Sequence, residues 1–133
     1  MKTYNWKEAQ ELCKTLTIGD YSDWRLPTIK ELQTLLDYGN YSPALPCKHP
    51  FLNVQSNLYW SSSSYVLYTD YAWNVIMNAG YVNHYNKSNH YYVWPVRAGV
   101  KKRCKQRFTD NGDGTINDNL NGLCWVNDLE DVK

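Results

Sequence analysis

What the chain lacks narrows its function before any motif is read. It has no C-x-x-C pair and no cysteine–histidine run at zinc-ligand spacing, so Cys13, Cys47, Cys104 and Cys124 offer no zinc site. It has no excess of charge: 14 Lys and Arg against 13 Asp and Glu leave a net +1, with no chain-wide field for nucleic acid or an acidic membrane. It has no long apolar run, which excludes a membrane-inserting helix and a signal peptide after Met1. If the protein is exported, its signal is expected outside this stretch. Nor is there a Gly-x-Ser-x-Gly elbow, so Ser61 to Ser64 with Asp70, His84 and His90 do not read as a hydrolase triad, and no catalytic residue is expected. Phenylalanine is scarce too, at 2 of 20 aromatic residues.

The remaining aromatics are 12 Tyr and 6 Trp in a chain of 133 residues, the length of one domain. With a negative mean hydropathy, much of that ring area must reach the surface. Tyr and Trp give large, stiff, amphipathic contact faces, which favours recognition. The sequence leaves the disulfide pairing of the four cysteines open, since such bonds follow the compartment.

Asn5 with Glu8 reads as a capping box, and Trp6, Ala9, Cys13 and Leu16 recur at helical spacing, predicting a helix over 5–16. Thr28 with Glu31 starts a second over 28–37, with Ile29, Leu32, Leu35 and Leu36 on one face and an end near Tyr38-Gly39. Between them Trp24 to Pro27 runs extended, and the prolines at 43, 46 and 50 enforce a loop. Short β-type runs follow at Leu58–Ser62, Tyr71–Asn78, Tyr81–Asn86 and Tyr91–Val96, with Asn78-Ala79-Gly80 as a tight hairpin and Lys87-Ser88-Asn89 as a turn. One antiparallel sheet is expected to hold the Tyr71 and Tyr91 strands, the former near its centre, with Trp24 and Trp73 mostly buried in the core. Arg25 and Arg97 are expected to hydrogen-bond backbone carbonyls. Residues 1–100 read as the main body, 101–107 as a basic linker, and 108–133 as a three-strand meander turned at Asn-Gly and Asp-Gly steps. In that meander an EF-type loop over Asp110 to Ile116 fails at both ends, at Thr109 and Leu120, so no metal is expected.

Between Asn57 and Tyr92, 22 of 36 residues are Asn, Tyr, Ser, His or Asp. Folding alone does not demand Asn83-His84-Tyr85-Asn86 and Asn89-His90-Tyr91-Tyr92 on adjacent strands. Rings stack on apolar sugar or peptide faces, and amides and phenols both donate and accept. The candidate ligand face is therefore Tyr65, Tyr68, Asn83, His84, Tyr85, Asn89, His90 and Tyr91, taking a glycan or protein ligand without a cofactor. Lys101, Lys102, Arg103, Lys105 and Arg107 form a second, weaker candidate for polyanions.

Several strings together resemble the Lcl C-terminal domain family of bacterial collagen-like adhesins: Trp6-Lys7-Glu8-Ala9 with Cys13, Tyr21 to Leu32 around Trp24-Arg25-Leu26-Pro27, Tyr59-Trp60-Ser61-Ser62, Tyr71-Ala72-Trp73, and Asn86 to Asn89 followed by Val96-Arg97. The resemblance implies an α+β, C-type-lectin-like fold, two helices flanking a twisted antiparallel sheet, in a non-enzymatic adhesion module on a cell surface or virion. In that family the meander precedes the first helix. Here it follows the last strand, which implies a permuted order or a cut across two repeats, with a domain swap or homo-oligomer through 108–133, and leaves a structural or oligomerising repeat as an alternative role. The Asn- and Tyr-rich window is also similar to retroelement-diversified variable proteins of this fold, which would make the face hypervariable. Trp125-Val126-Asn127-Asp128 departs from the calcium-sugar motif of C-type lectins at Val126. The Arg25 to Thr28 string is similar to one in formylglycine-generating oxidases, but none of the cysteines falls in a matching motif.

Overall fold

The computed structural model describes residues 1–103 and 105–133. Two short helices come first, α1 (Trp6–Thr15) and α2 (Ile29–Leu35). Both start on complete capping boxes: Asn5 and Glu8 exchange side-chain-to-backbone bonds at 2.9 and 3.0 Å, and Thr28 and Glu31 at 3.2 and 2.9 Å. Reciprocal caps satisfy N–H groups that a two-turn helix can least spare. The second helix ends at Leu35, short of Tyr38-Gly39, because the Asp37 N–H bonds the Ala44 carbonyl and draws the chain into the following loop.

A three-stranded antiparallel sheet follows: β1 (Leu58–Ser64), β2 (Tyr71–Ile76) in the centre and β3 (Tyr81–Asn86). A second antiparallel sheet has the order β4-β7-β6-β5, from β4 (Val96–Ala98), β5 (Phe108–Asp110), β6 (Thr115–Asp118) and β7 (Leu123–Val126). Leu129–Asp131 forms a final 3₁₀ turn. The architecture is α+β, with two sheets in place of the single one expected. The predicted strand Tyr91–Val96 divides: Tyr91 and Tyr92 make only isolated bridges, to Tyr4 and Tyr59, and β4 begins at Val96 in the other sheet. Pro95 lies at the division, and lacking an N–H it cannot continue a ladder.

Residues 108–133 are no separate piece. β7 lies between β4 and β6 in the same chain, with Val96 opposite Trp125 and Ile116 opposite Trp125 on the other side. The segment 101–107 is tied on as well, through Lys102 N–H to Asn119 O and Asn119 N–H to Arg107 O. An aromatic seam joins the sheets: Tyr59 to Trp94 at 5.8 Å and Trp94 to Trp125 at 5.7 Å, with Phe51 edge-on to Trp94 at 4.9 Å. The core continues through Leu32, Leu35, Val75, Ile116, Val126 and Leu129, all fully buried.

Trp24 is 3% exposed, as expected, and its indole N–H reaches the Tyr21 and Ile18 carbonyls. Trp73 is mostly buried too, but outside the core cluster expected to hold it, on the opposite side of β2 from fully buried Ala72 and Asn74. The two arginines also differ from expectation. Arg25 forks onto the Glu31 carboxylate at 2.7 and 2.9 Å, and Arg97 onto Asp23 at 2.6 and 3.1 Å, so carboxylates are their main partners and carbonyls secondary ones. Cys13, Cys47 and Cys124 are free thiols; burial pushes the Cys13 thiol up to about 12, which keeps it protonated and inert. The question of a bond to Cys104 lies outside the described residues.

Candidate functional site

The alternation of a strand decides where the Asn- and Tyr-rich window points. In the β2–β3 ladder Trp73 stands opposite His84 and Tyr71 opposite Asn86, while Ala72 stands opposite Tyr85 and Asn74 opposite Asn83. Directly opposed residues share a face, and successive residues alternate. His84 therefore points away from Asn83 and Tyr85. The eight predicted ligand residues do not form one patch; they split between the two faces.

On the first face five rings pile up beside the β1–β2 loop. Tyr65 lies flat on His84, with centroids 3.9 Å apart and planes 11° from parallel. Trp73 meets both edge-on at 5.2 Å, and Tyr68 and Tyr71 extend the group at 6.1 and 6.0 Å from Tyr65 and His84. The imidazole Nδ1 of His84 is buried without a hydrogen-bond partner, so ring stacking and not a polar network holds that side chain. The loop tip stands clear of everything: Val66 is 87% and Leu67 74% exposed, and Tyr68 is exposed beside them. Lys87 braces the loop through the Ser64 hydroxyl at 2.9 Å and the Thr69 carbonyl at 2.6 Å, while its ammonium sits 4.0 Å over the Trp6 ring. Tyr71 and Trp73 were not among the predicted residues. Their i, i+2 spacing on a strand, opposite His84, was the available signal.

On the second face Tyr85 and Tyr91 have centroids 5.9 Å apart, and Tyr91 rests on buried Trp60 at 4.7 Å. The Asn89 amide donates to the Tyr91 phenol oxygen at 3.1 Å. Burial and the neighbouring Tyr85 push the Tyr91 phenol up, against the lowering effect of the Asn89 bond. His90 stands apart, its Nε2 3.6 Å from Glu8 at the start of α1. Asn83 lies across the ladder from Asn74, whose amide is fully buried with neither atom partnered.

The serine run is engaged elsewhere. Ser61 donates to the Trp73 carbonyl at 2.6 Å and Ser63 accepts from the Ile29 N–H at 3.0 Å, so these hydroxyls position strand and helix. In the basic run Lys101, Lys102, Arg103 and Lys105 are exposed, but Arg107 does not belong with them. Its guanidinium grips buried Asp118 and the Thr34 carbonyl and lies 4.7 Å over Phe108, tying the second sheet to α2. The Asp110–Thr115 turn uses its own carboxylates: Asp110 accepts from Gly112 N–H and Asp113 from Thr115 N–H. Among the described residues no group of three or more His, Cys, Asp or Glu is placed to hold a metal. A cleft of about 450 Å³ along Gln10, Lys14 and Trp24 and one of about 540 Å³ along Pro46, Pro50 and Phe108 include none of the piled rings, which form an open platform instead.

The string around Trp24 has a structural explanation. Trp24 plugs the core, the Arg25 backbone pairs with Val96 in both directions at 3.0 and 2.9 Å, Arg25 clamps Glu31, and Thr28 caps α2. Arg97, next along β4, clamps Asp23 and stacks 3.7 Å over Tyr21. These residues hold helix, extended segment and second sheet in register. No curated protein matches the chain, and no solved structure does. A family model does match, over residues 1–97, and takes in both helices, the first sheet and the start of β4. Since the match takes in well over half of its residues, the chain belongs to the Lcl C-terminal domain family.

Proposed function

We propose that the chain is a non-enzymatic ligand-binding or adhesion module on a C-type-lectin-like fold, and that its ligand face is the ring platform of Tyr65, Tyr68, Tyr71, Trp73 and His84. The observation that carries the reading is the flat Tyr65–His84 stack with Trp73 edge-on to both, next to a loop tip whose apolar side chains are left uncovered by the described residues. Contiguous exposed apolar and aromatic surface of this kind marks interaction sites, and preorganised rings lose little entropy on binding. The ligand is a glycan or a protein on another surface, met by an exported, cell-surface or virion-borne protein. Neither a cofactor nor a metal takes part.

An array of glycans and surface proteins, probed with the intact chain with and without chelator and at two salt levels, tests the reading. Retention that falls on Tyr68→Ala and Trp73→Ala while unfolding stays cooperative supports it. Retention that ignores both variants and vanishes when Lys101, Lys102, Arg103 and Lys105 are replaced would instead assign binding to the basic run.

A further inference from the structure

A second group of exposed rings lies at the other end of the first sheet, where β2 turns into β3. Tyr38, Tyr41 and Tyr81 are 68%, 79% and 67% exposed. The loop that carries the first two is held firmly. Asp37 N–H bonds Ala44 O at 2.9 Å, Asn40 N–H bonds Asp37 O at 3.0 Å, and the Asn40 amide reaches Leu45 O at 2.8 Å. The loop is then laced to the hairpin turn by Ser42 N–H to Asn78 O at 2.7 Å and Ala44 N–H to Met77 O at 2.6 Å. Gly80 turns with φ +82, and a Cβ there would come within 3.4 Å of the Tyr38 ring, so that ring lies over the turn beside Tyr81. The backbone of Tyr41 is kept next to the same turn by the bond of the adjoining Ser42 N–H to Asn78 O.

We propose that Tyr38, Tyr41 and Tyr81 form a second binding site, for neutral β-linked pyranose chains. A single exposed tyrosine needs no explanation, but three carried by one braced loop and turn group their phenol rings on a firm backbone. Equatorially substituted pyranoses carry flat C–H faces that stack on such rings, and their hydroxyls match phenol rims and the exposed Asn78 amide. The ionic chemistry lies elsewhere: the ion pairs of the described residues avoid this loop and turn, and the Asp37 carboxylate takes the Gly39 N–H at 2.9 Å. The site is separate from the Tyr65 platform: Tyr81 stands three ladder positions, about 10 Å, from His84 and points to the opposite face of the sheet.

The experiment is nuclear magnetic resonance of the full chain carrying ring-labelled tyrosine, titrated with cellohexaose, chitohexaose and xylohexaose into the millimolar range. The Tyr38, Tyr41 and Tyr81 signals are expected to shift and saturate with at least one of the three, equally at low and high salt. Tyr41→Ala and Tyr38→Ala each weaken that binding roughly tenfold, whereas Tyr68→Ala leaves it unchanged and thereby separates this site from the platform of the proposed function. Both alanine variants replace exposed side chains, and an unchanged melting temperature shows that they fold. No shift with any of the three sugars, shifts that survive the double variant, or shifts that disappear at high salt would overturn the proposal. So would ring shifts that follow protein concentration alone, which would make the turn a contact between copies of this chain.

Discussion

At the scale of single residues, two tryptophans that look alike in the sequence separate in role. Trp24→Ala removes a buried indole and its carbonyl bonds and is expected to cost about 3–5 kcal/mol in denaturant unfolding. Trp73→Ala truncates a partly buried ring outside the core and should cost clearly less while abolishing retention on the array ligand; equal destabilisation by the two would return Trp73 to the core. The Arg25–Glu31 fork gives a pH signature. Burial pushes the Glu31 carboxyl up, but hydrogen bonds from Arg25 and from the Thr28 backbone, with the guanidinium charge, outweigh it and hold the carboxyl below its ordinary value of 4.5. A lowered folded-state value means that the fork's contribution is complete above the unfolded value and is lost as acid protonates Glu31. Stability should therefore fall as pH drops below about 4.5, and Glu31→Gln should flatten that part of the profile. A wild-type slope in the variant would assign the acid loss to other carboxylates. Asp23, lowered by its Arg97 hydrogen bond, is the natural comparison.

At the scale of elements, both helix starts were legible because a capping box is a local, four-residue arrangement that needs no tertiary information. The hairpin at Asn78-Ala79-Gly80 and the placement of β2 at the sheet centre were legible for a similar reason. Tyr91–Val96 was not: its residues have β-type composition, but Pro95 and the pairing of Val96 with a strand 29 positions later divide it between sheets. The ligand window was legible as a composition and misread as a surface. Asn83, His84 and Tyr85 are consecutive on a strand and cannot share a face, and the exposed Tyr38 and Tyr41 lay in a stretch that the prolines marked only as loop. A glycine shows how tightly the second sheet is closed. A Cβ on Gly99 would stand 2.5 Å from Asn117 Oδ1 and 2.7 Å from the Leu123 carbonyl carbon, so Gly99→Ala should cost about 1–3 kcal/mol by prising β4 from β7. An unchanged denaturation midpoint would show that the two strands can spread without loss.

At the scale of the whole molecule, the last 26 residues supply Ile116, Trp125, Val126 and Leu129 to the same core as Leu32, Tyr59 and Trp94. Deleting 108–133 removes more buried apolar surface than the marginal stability of a domain can absorb, about 5–15 kcal/mol. A chain ending at residue 107 should lose its near-ultraviolet dichroism and its cooperative melt; a retained sigmoidal transition would make the first 107 residues self-sufficient. The same arrangement governs how the protein is made. β4, already bridged to Arg25 on one side, leaves the ribosome well before β7, its neighbour in the sheet, so the newborn chain carries Trp94 and the β7-facing edge of β4 unpaired until β7 arrives. Helices and first sheet can form early from near neighbours in sequence, but closure of the second sheet waits until β7 has been made. During that interval the chain is most exposed to chaperones, to proteases and to sister chains on the same message.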